Sequence, residues 1–180
     1  AIFTVKTSNP FKPGYQPHVG YVHVRQNGGQ EKKETFSFSV NDVYTKQENQ
    51  YDEYLVSISL PPGKYKLRHI GGTSGVFPVH GNFAVPVFAD VELKPNKIVY
   101  LGRVEATLRE RKNDSEIRGG SPIPLIDQAV TGFGKGTFDI NIYDNYEKDV
   151  ALFKQAYPVL KSYSVEKAVL PPWKRPAEEE

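Results

Sequence analysis

His18, His23, His69 and His80 are the whole imidazole complement of this chain, and imidazole is the side chain best suited to proton transfer and metal ligation near neutral pH. No two of them share the i, i+4 spacing of a helical zinc pair, and none lies in an HExxH context. Convergence of His69 and His80 across a loop is the arrangement left for a metal; a half-buried, hydrogen-bonded His69 on a strand is the ordinary alternative. Serine chemistry is suggested by GGTSG at residues 71–75, where Ser74 lies close to His69. A nucleophile elbow needs glycine two residues before and two after the serine, and Val76 breaks that spacing, so the segment reads as a flexible glycine loop. Asp139, Asn141 and Asp144 offer oxygen ligands at short spacing, as calcium requires, but the first two fall on a strand pattern and Asp144 reads as a helix cap. GFGKG at residues 132–136 lacks the Gly-Lys-Ser/Thr ending and the strand-before, helix-after setting of a phosphate loop, and reads as a mobile turn. Lys64, Lys66 and Arg68 alternate with Tyr65, which puts the ring on the face opposite the cations, unlike a sheet that stacks nucleic-acid bases. The residue types therefore predict no catalytic, metal or cofactor set, and they single out no binding residues.

Any such group would have to be positioned by a chain of 180 residues, the length of one domain that can bury a core without disulfides or metal. A formal charge of +2 with both signs interspersed leaves no strong field to attract nucleic acid or anionic lipid. An aromatic share of 12%, with 14 Pro and 15 Gly, favours a turn-rich β protein over a helical bundle. The chain contains neither Met nor Cys. The missing initiator points to a lost upstream segment, either a secretory leader removed on maturation or a truncated expression boundary. The missing thiols fit an oxidising compartment. The expected location is extracytoplasmic: periplasmic, outer-membrane-associated or secreted. No apolar run approaches the roughly 18 residues of a transmembrane helix, and a lipid anchor on a removed leader is compatible with that.

Period-two alternation recurs along most of the sequence and predicts about seven strands, enough for a two-layer sandwich. An early strand covers Tyr21 to Arg25. Phe36, Phe38 and Val40 share one face; Tyr54, Val56, Ile58 and Leu60 another. Tyr65, Leu67 and His69 are expected inward, with Lys64, Lys66 and Arg68 outward. Phe83 through Leu93 alternates throughout. Ile98, Tyr100, Gly102, Val104, Ala106 and Leu108 are expected inward, with Arg103, Glu105, Thr107 and Arg109 outward. Phe138, Ile140 and Ile142 form a late strand. In LPPGKYKLRHI, proline presets φ at one turn position and Gly63 supplies the positive φ of a type II turn, a pattern repeated in LKPNK with Asn96 in the left-handed place. Tyr65, just past the first corner, is placed to hydrogen-bond back to the turn as a tyrosine corner. SLPPGKYKLRHI resembles the Leu-x-Pro-Gly-x-Tyr signature of fibronectin type III, carboxypeptidase-regulatory-like and other transthyretin-like sandwich modules. VELKPNKIVYLGRVEA is similar to a later strand of small bacterial envelope proteins that carry such modules. The resemblance covers roughly residues 35 to 111, rests on structural motifs, transfers no functional residue and implies extracytoplasmic binding or scaffold modules.

Beyond Arg111 the glycine- and proline-rich segment 112–136 reads as a long loop, packed on the body through Ile123, Leu125, Ile126 and Val130. A helix follows: Asp144 as N-cap, Glu147 three residues on, and an apolar stripe of Tyr146, Val150, Phe153, Tyr157 and Leu160, ended near Ala156 by Pro158. PPWKRPAEEE reads as a poorly ordered tail that Trp173 could anchor. The expectation is a mainly β fold, an immunoglobulin-like or transthyretin-like antiparallel β-sandwich over 1–143, with one C-terminal amphipathic helix and tail over 144–180 packed on the same domain. The expected function is a non-catalytic envelope or secreted module that binds a protein or glycan or serves as a scaffold, with no nucleic acid partner. The alternative is a hydrolase or carbohydrate-active enzyme whose site is built from loops 71–82 and 112–136.

Overall fold

The computed structural model describes residues 1–28, 35–40, 43–47, 50–120 and 126–176. Among these, β1 (Ile2–Ser8), β5 (Tyr51–Ser57), β4 (Val43–Gln47) and β8 (Ile98–Glu110) form one sheet in the order β4-β5-β1-β8. The far side of β8 is shared by β10 (Val165–Lys167) along Ile98 to Tyr100 and β9 (Gly136–Tyr143) along Arg103 to Glu110. The second sheet runs β3 (Thr35–Ser39), β2 (His18–Gln26), β6 (Gly63–Val76), β7 (Val79–Leu93). The fold is the expected β-sandwich with a C-terminal helix. Pairing is antiparallel except where β8 meets β1 and β10, both parallel.

The proline corner works through its tyrosine. Tyr65 is 1% exposed and its hydroxyl donates to the Pro61 carbonyl at 2.8 Å, so a buried ring and a satisfied polar tip hold the turn. Gly63 does not take the positive φ expected of a type II turn; it opens β6 opposite Leu93, and a Cβ there would meet the Tyr65 ring at 3.3 Å. Glycine serves to admit the ring. Asn96 does adopt the left-handed conformation, with φ 55°.

Two expected strand phases are corrected. Between Leu67 and His69 the ladder of β6 with β7 shifts register, and Phe88 sits at φ 48° in the bulge. Leu67 and Ile70 both point into the core, so His69 faces outward instead of joining Tyr65 and Leu67. In β8, Gly102 takes φ 107° and the pairing with β1 slips at the same place. Val99 and Leu101 therefore face the sandwich core before it, and Val104, Ala106 and Leu108 after it. Tyr100 and Ile98 belong to a second cluster on the opposite face, with Ile2, Val150, Phe153 and Val165. The GGTSG segment is likewise no loop: β6 runs through it, and a Cβ on Gly72 would lie 2.0 Å from the His18 carbonyl oxygen.

The second cluster is roofed by α2 (Tyr146–Ala156), which ends ahead of Pro158 as expected. Its N-cap position is Asn145; Asp144 instead accepts the Tyr146 amide at 2.9 Å from one residue earlier. Within the apolar stripe stands a fully buried carboxylate. Asp149 accepts from Thr4 Oγ1 at 2.5 Å, Tyr100 OH at 2.7 Å and Asn145 Nδ2 at 2.7 Å, with Arg103 Nη1 at 3.9 Å. Burial first and this carboxylate second raise the Tyr100 phenol far above its ordinary value. Arg103 does face away from the sandwich core, but it is 7% exposed where exposure was expected, paired to Glu53 and Glu105.

The described parts of the 112–136 segment pack on the body, with Phe133 and Gly119–Gly120 as contacts that were not expected. Ala84 N donates to Gly119 O, Gly120 bridges Phe83, and Phe133 stacks among Phe83 and Phe138 in the core. A short helix, α1 (Ile126–Val130), is anchored by buried Gln128, while Ile126 is 81% exposed. Ile123 and Leu125 lie outside the described residues. The tail, expected to be poorly ordered, is a strap over residues 168–176. Leu170 N donates to Leu101 O, Trp173 Nε1 to Pro86 O at 2.7 Å, and Arg175 to Thr137, Phe138 and Asp139.

Replacing Asp149 by Ala leaves three donors and a nearby guanidinium without their acceptor; urea unfolding is expected to show a loss of about 3 kcal/mol. Tyr65→Phe, which strips one hydrogen bond from the corner, should cost about 1 kcal/mol in the same assay.

Candidate functional site

Of the outer sheet faces, the one on β3-β2-β6-β7 carries a cluster of side chains with chemistry and, among the described residues, no helix over it. Its β2 strand bulges at Gly20, so that Val19 and Val22 both face the core and Tyr21 and His23 face out. The ladder then sets three rungs across the face. Ser39, Tyr21, Gly71 and Ala84 make one; Ser37, His23, His69 and Pro86 the next; Thr35, Arg25, Lys66 and Asp90 the third.

The aromatic rings of the first two rungs touch. Tyr21 lies 4.7 Å from His23 and 6.0 Å from His69 between centroids, and the two imidazoles meet edge to face at 4.5 Å. Gly71 makes this possible: a Cβ there would sit 2.3 Å from the Tyr21 ring, so the ring crosses directly over bare backbone. At the margin Arg68 lies 5.9 Å from the Phe88 ring. Burial, then the neighbouring His23 and Arg68, push His69 down to about 4 from its ordinary 6.5. His23 is lowered by burial and then by Arg68. The face thus presents neutral imidazoles and a phenol at neutral pH, groups that donate and accept hydrogen bonds and stack.

A second arrangement stands at the end of the sandwich. His18 Nδ1 lies 2.6 Å from Oδ2 of Asp52, which is 1% exposed and also accepts from the Tyr54 hydroxyl at 3.2 Å, while the His18 ring remains 43% exposed. A buried carboxylate orienting a solvent-facing imidazole is the orienter-base half of a triad. The ladder partner of His18 is Thr73, and no side-chain hydrogen bond joins the two among the described residues. Asp52 Oδ1 is left unpaired in the interior.

Two recesses lie among the described residues. A cavity of ≈170 Å³ between the β1-β5-β8 face and α2 is lined by Thr4, Glu53, Tyr54, Leu55, Arg103, Lys148 and Leu152. It is smaller than the roughly 300 Å³ at which ligand pockets begin, and the Glu53–Arg103 ion pair is part of its lining. The more open groove beside Arg111 and Arg118 is braced by guanidinium bonds to the carbonyls of Glu116, Asp114 and Gly134.

The residues weighed in the sequence fall as follows. Ser74 points into the interior with its Oγ unpartnered, away from the outward His69. His80 pairs with Gly75, some six rungs or about 20 Å along the hairpin from His69. Asp139 is tied to Arg109 and Arg175, and Asp144 to Lys167. No three His, Asp or Glu side chains converge as metal ligands among the described residues. GFGKG is a turn into β9, held by buried Phe133. Tyr65 is in the core, where it cannot stack a base. The pairs that do form, His23 with His69 and His18 with Asp52, went unread. The alternation Tyr21, His23, Arg25 signalled the first, but the bulge concealed its partner.

Compared with known proteins, the chain matches no family model, no curated protein and no solved structure.

Because the folded His69 ring resists a proton that the unfolded chain accepts near 6.5, the unfolded state binds more protons between about pH 6.5 and 4, and stability falls as pH drops through that window. His69→Gln is expected to flatten this slope, read as the shift in urea midpoint between pH 7 and the acid end of the window.

Proposed function

We propose that the chain is a non-catalytic binding or scaffold module of the cell envelope or of a secreted assembly, and that it holds a glycan on the outer face of β3-β2-β6-β7. The observation that carries this reading is the Tyr21 ring laid over Gly71 beside two neutral imidazoles on a shallow face. A sugar ring presents an apolar C–H face to an aromatic plane and hydroxyls to the groups around it. Ser37 and Ser39, exposed in the same rungs, supply further hydroxyls. A protein partner would use the same face, with more contact area and fewer directional bonds.

The extracytoplasmic setting rests on the absence of cysteine and on the resemblance of residues 35 to 111 to transthyretin-like modules, which the Tyr65 to Pro61 corner strengthens. No helix among the described residues is long and apolar enough to cross a membrane. The second reading, a hydrolase or carbohydrate-active enzyme, is favoured by the His18–Asp52 pair.

Binding to an array of bacterial envelope glycans tests the proposal. Tyr21→Ala is expected to weaken capture about tenfold or more, Gly71→Ala to weaken it by displacing the ring, and His18→Gln to leave it unchanged. Capture undiminished in Tyr21→Ala, or turnover of chromogenic esters or glycosides that disappears in His18→Gln, would reject the reading.

A further inference from the structure

The two edges of the β3-β2-β6-β7 sheet differ. Along β7 the outer edge is occupied: Ala84 N donates to Gly119 O, Gly120 bridges Phe83, and Trp173 Nε1 donates to the Pro86 carbonyl. Along β3 no strand lies beyond, among the described residues. Proteins blunt such an edge with lysine, proline, a bulge or a cover, since its open amides and carbonyls template another strand. β3 reads Thr-Phe-Ser-Phe-Ser, with no charge, no proline and no register shift against β2.

The pattern is also symmetric about Ser37. Thr35, Ser37 and Ser39 are exposed on the outer face, while Phe36 and Phe38 pack against the core and remain only partly buried. Set antiparallel against itself and centred on Ser37, the strand pairs hydroxyl with hydroxyl, Thr35 to Ser39 and Ser37 to Ser37, and ring with ring, Phe36 to Phe38. No like charges meet, aromatic cross-strand pairs form on the inner face, and the half-exposed phenylalanines gain cover. A twofold axis through Ser37 satisfies both copies with the same contacts, as an isologous dimer demands.

From this self-complementarity we infer that the occupant of the β3 edge is a second copy of this chain, joined through antiparallel β3–β3 pairing about Ser37. The two four-stranded sheets become one, and the Tyr21 faces lie side by side on the same side of it. The inference does not depend on the glycan reading, although a dimer would present that face twice and raise its avidity.

Sedimentation velocity over a concentration series up to about 200 µM tests it, at affinities where an interface of this size is measurable. The wild type is expected to shift from monomer to dimer. Thr35→Glu with Ser39→Glu places acid against acid across the axis and should weaken association at least thirtyfold. Thr35→Lys with Ser39→Glu carries two new charges as well, yet sets each lysine against a glutamate of the second copy and should retain the dimer. Thermal melts of both double variants check that each remains folded, and the paired charges separate register from a general effect of substitution. A wild type that stays monomeric throughout, or a Glu/Glu variant that dimerises as well as the wild type, would overturn the inference.

Discussion

A side chain on a strand has two faces to choose from, and one extra residue in the ladder reverses the choice for everything beyond it. Three of the register shifts among the described residues follow that rule. The bulge at Gly20 turns Tyr21 and His23 outward together. The shift between Leu67 and His69 sends His69 to meet them. In β8 the φ of 107° at Gly102 lets one strand serve the sandwich core with Val99 and Leu101 and the helix-covered cluster with Tyr100. Without these slips the imidazoles would be separated by a sheet, and the helix would find no aromatic ring beneath it.

The covering of one outer face explains the wetness of the other. Phe3 and Val5 of β1 face the sandwich while Ile2 and Thr4 face α2, so this central strand is buried on both sides. The Asp149 carboxylate closes that second layer. Inserting a charge into an apolar stripe costs desolvation, and three short hydrogen bonds with a guanidinium nearby offset it. What it supplies is position: the carboxylate has one place where Thr4, Tyr100 and Asn145 all reach it, which fixes the rotation of α2 on the sheet. With that face roofed and the β7 edge strapped by Trp173, the outer face of β3-β2-β6-β7 and its β3 side, beyond which no further strand lies among the described residues, are what the body leaves to a partner.

Legibility followed the reach of each interaction along the chain. The Tyr65 corner was readable because its acceptor is four residues away, and the helix end because Pro158 acts on its own turn. β7 was readable because Phe83 through Leu93 keeps its alternation through the bulge. β1 was missed: Ile2–Ser8 is buried on both faces, yet Thr4, Lys6 and Thr7 interrupt its apolar residues, so its composition gives no sign of a central strand. Arg103, Asp149 and the tail were misjudged for a different reason. Their partners lie 46 to 145 residues apart in several cases, as with Thr4 and Asp149 or Trp173 and Pro86, and a charged or proline-rich segment looks solvated until the fold supplies them. The His23–His69 pair combined both obstacles, a distant partner and a strand phase that local spacing assigns to the wrong face.

The chemistry of the two histidine pairs bears on the proposed binding role and on its catalytic alternative. A general base needs a proton affinity near the working pH and a substrate held against it. His69 binds its proton too weakly for that at neutral pH, and the groups around it are rings and a cation rather than a carboxylate to orient it. His18 has the orienting carboxylate but no nucleophile bonded to its ring among the described residues. Stacking asks for less: a ring with one face accessible, a rigid backbone beneath it and neutral neighbours that can turn either a donor or an acceptor toward the ligand. Tyr21, half-buried over Gly71 and flanked by His23 and His69, supplies the ring, the rigid backbone and the neutral neighbours on which the proposed binding role rests.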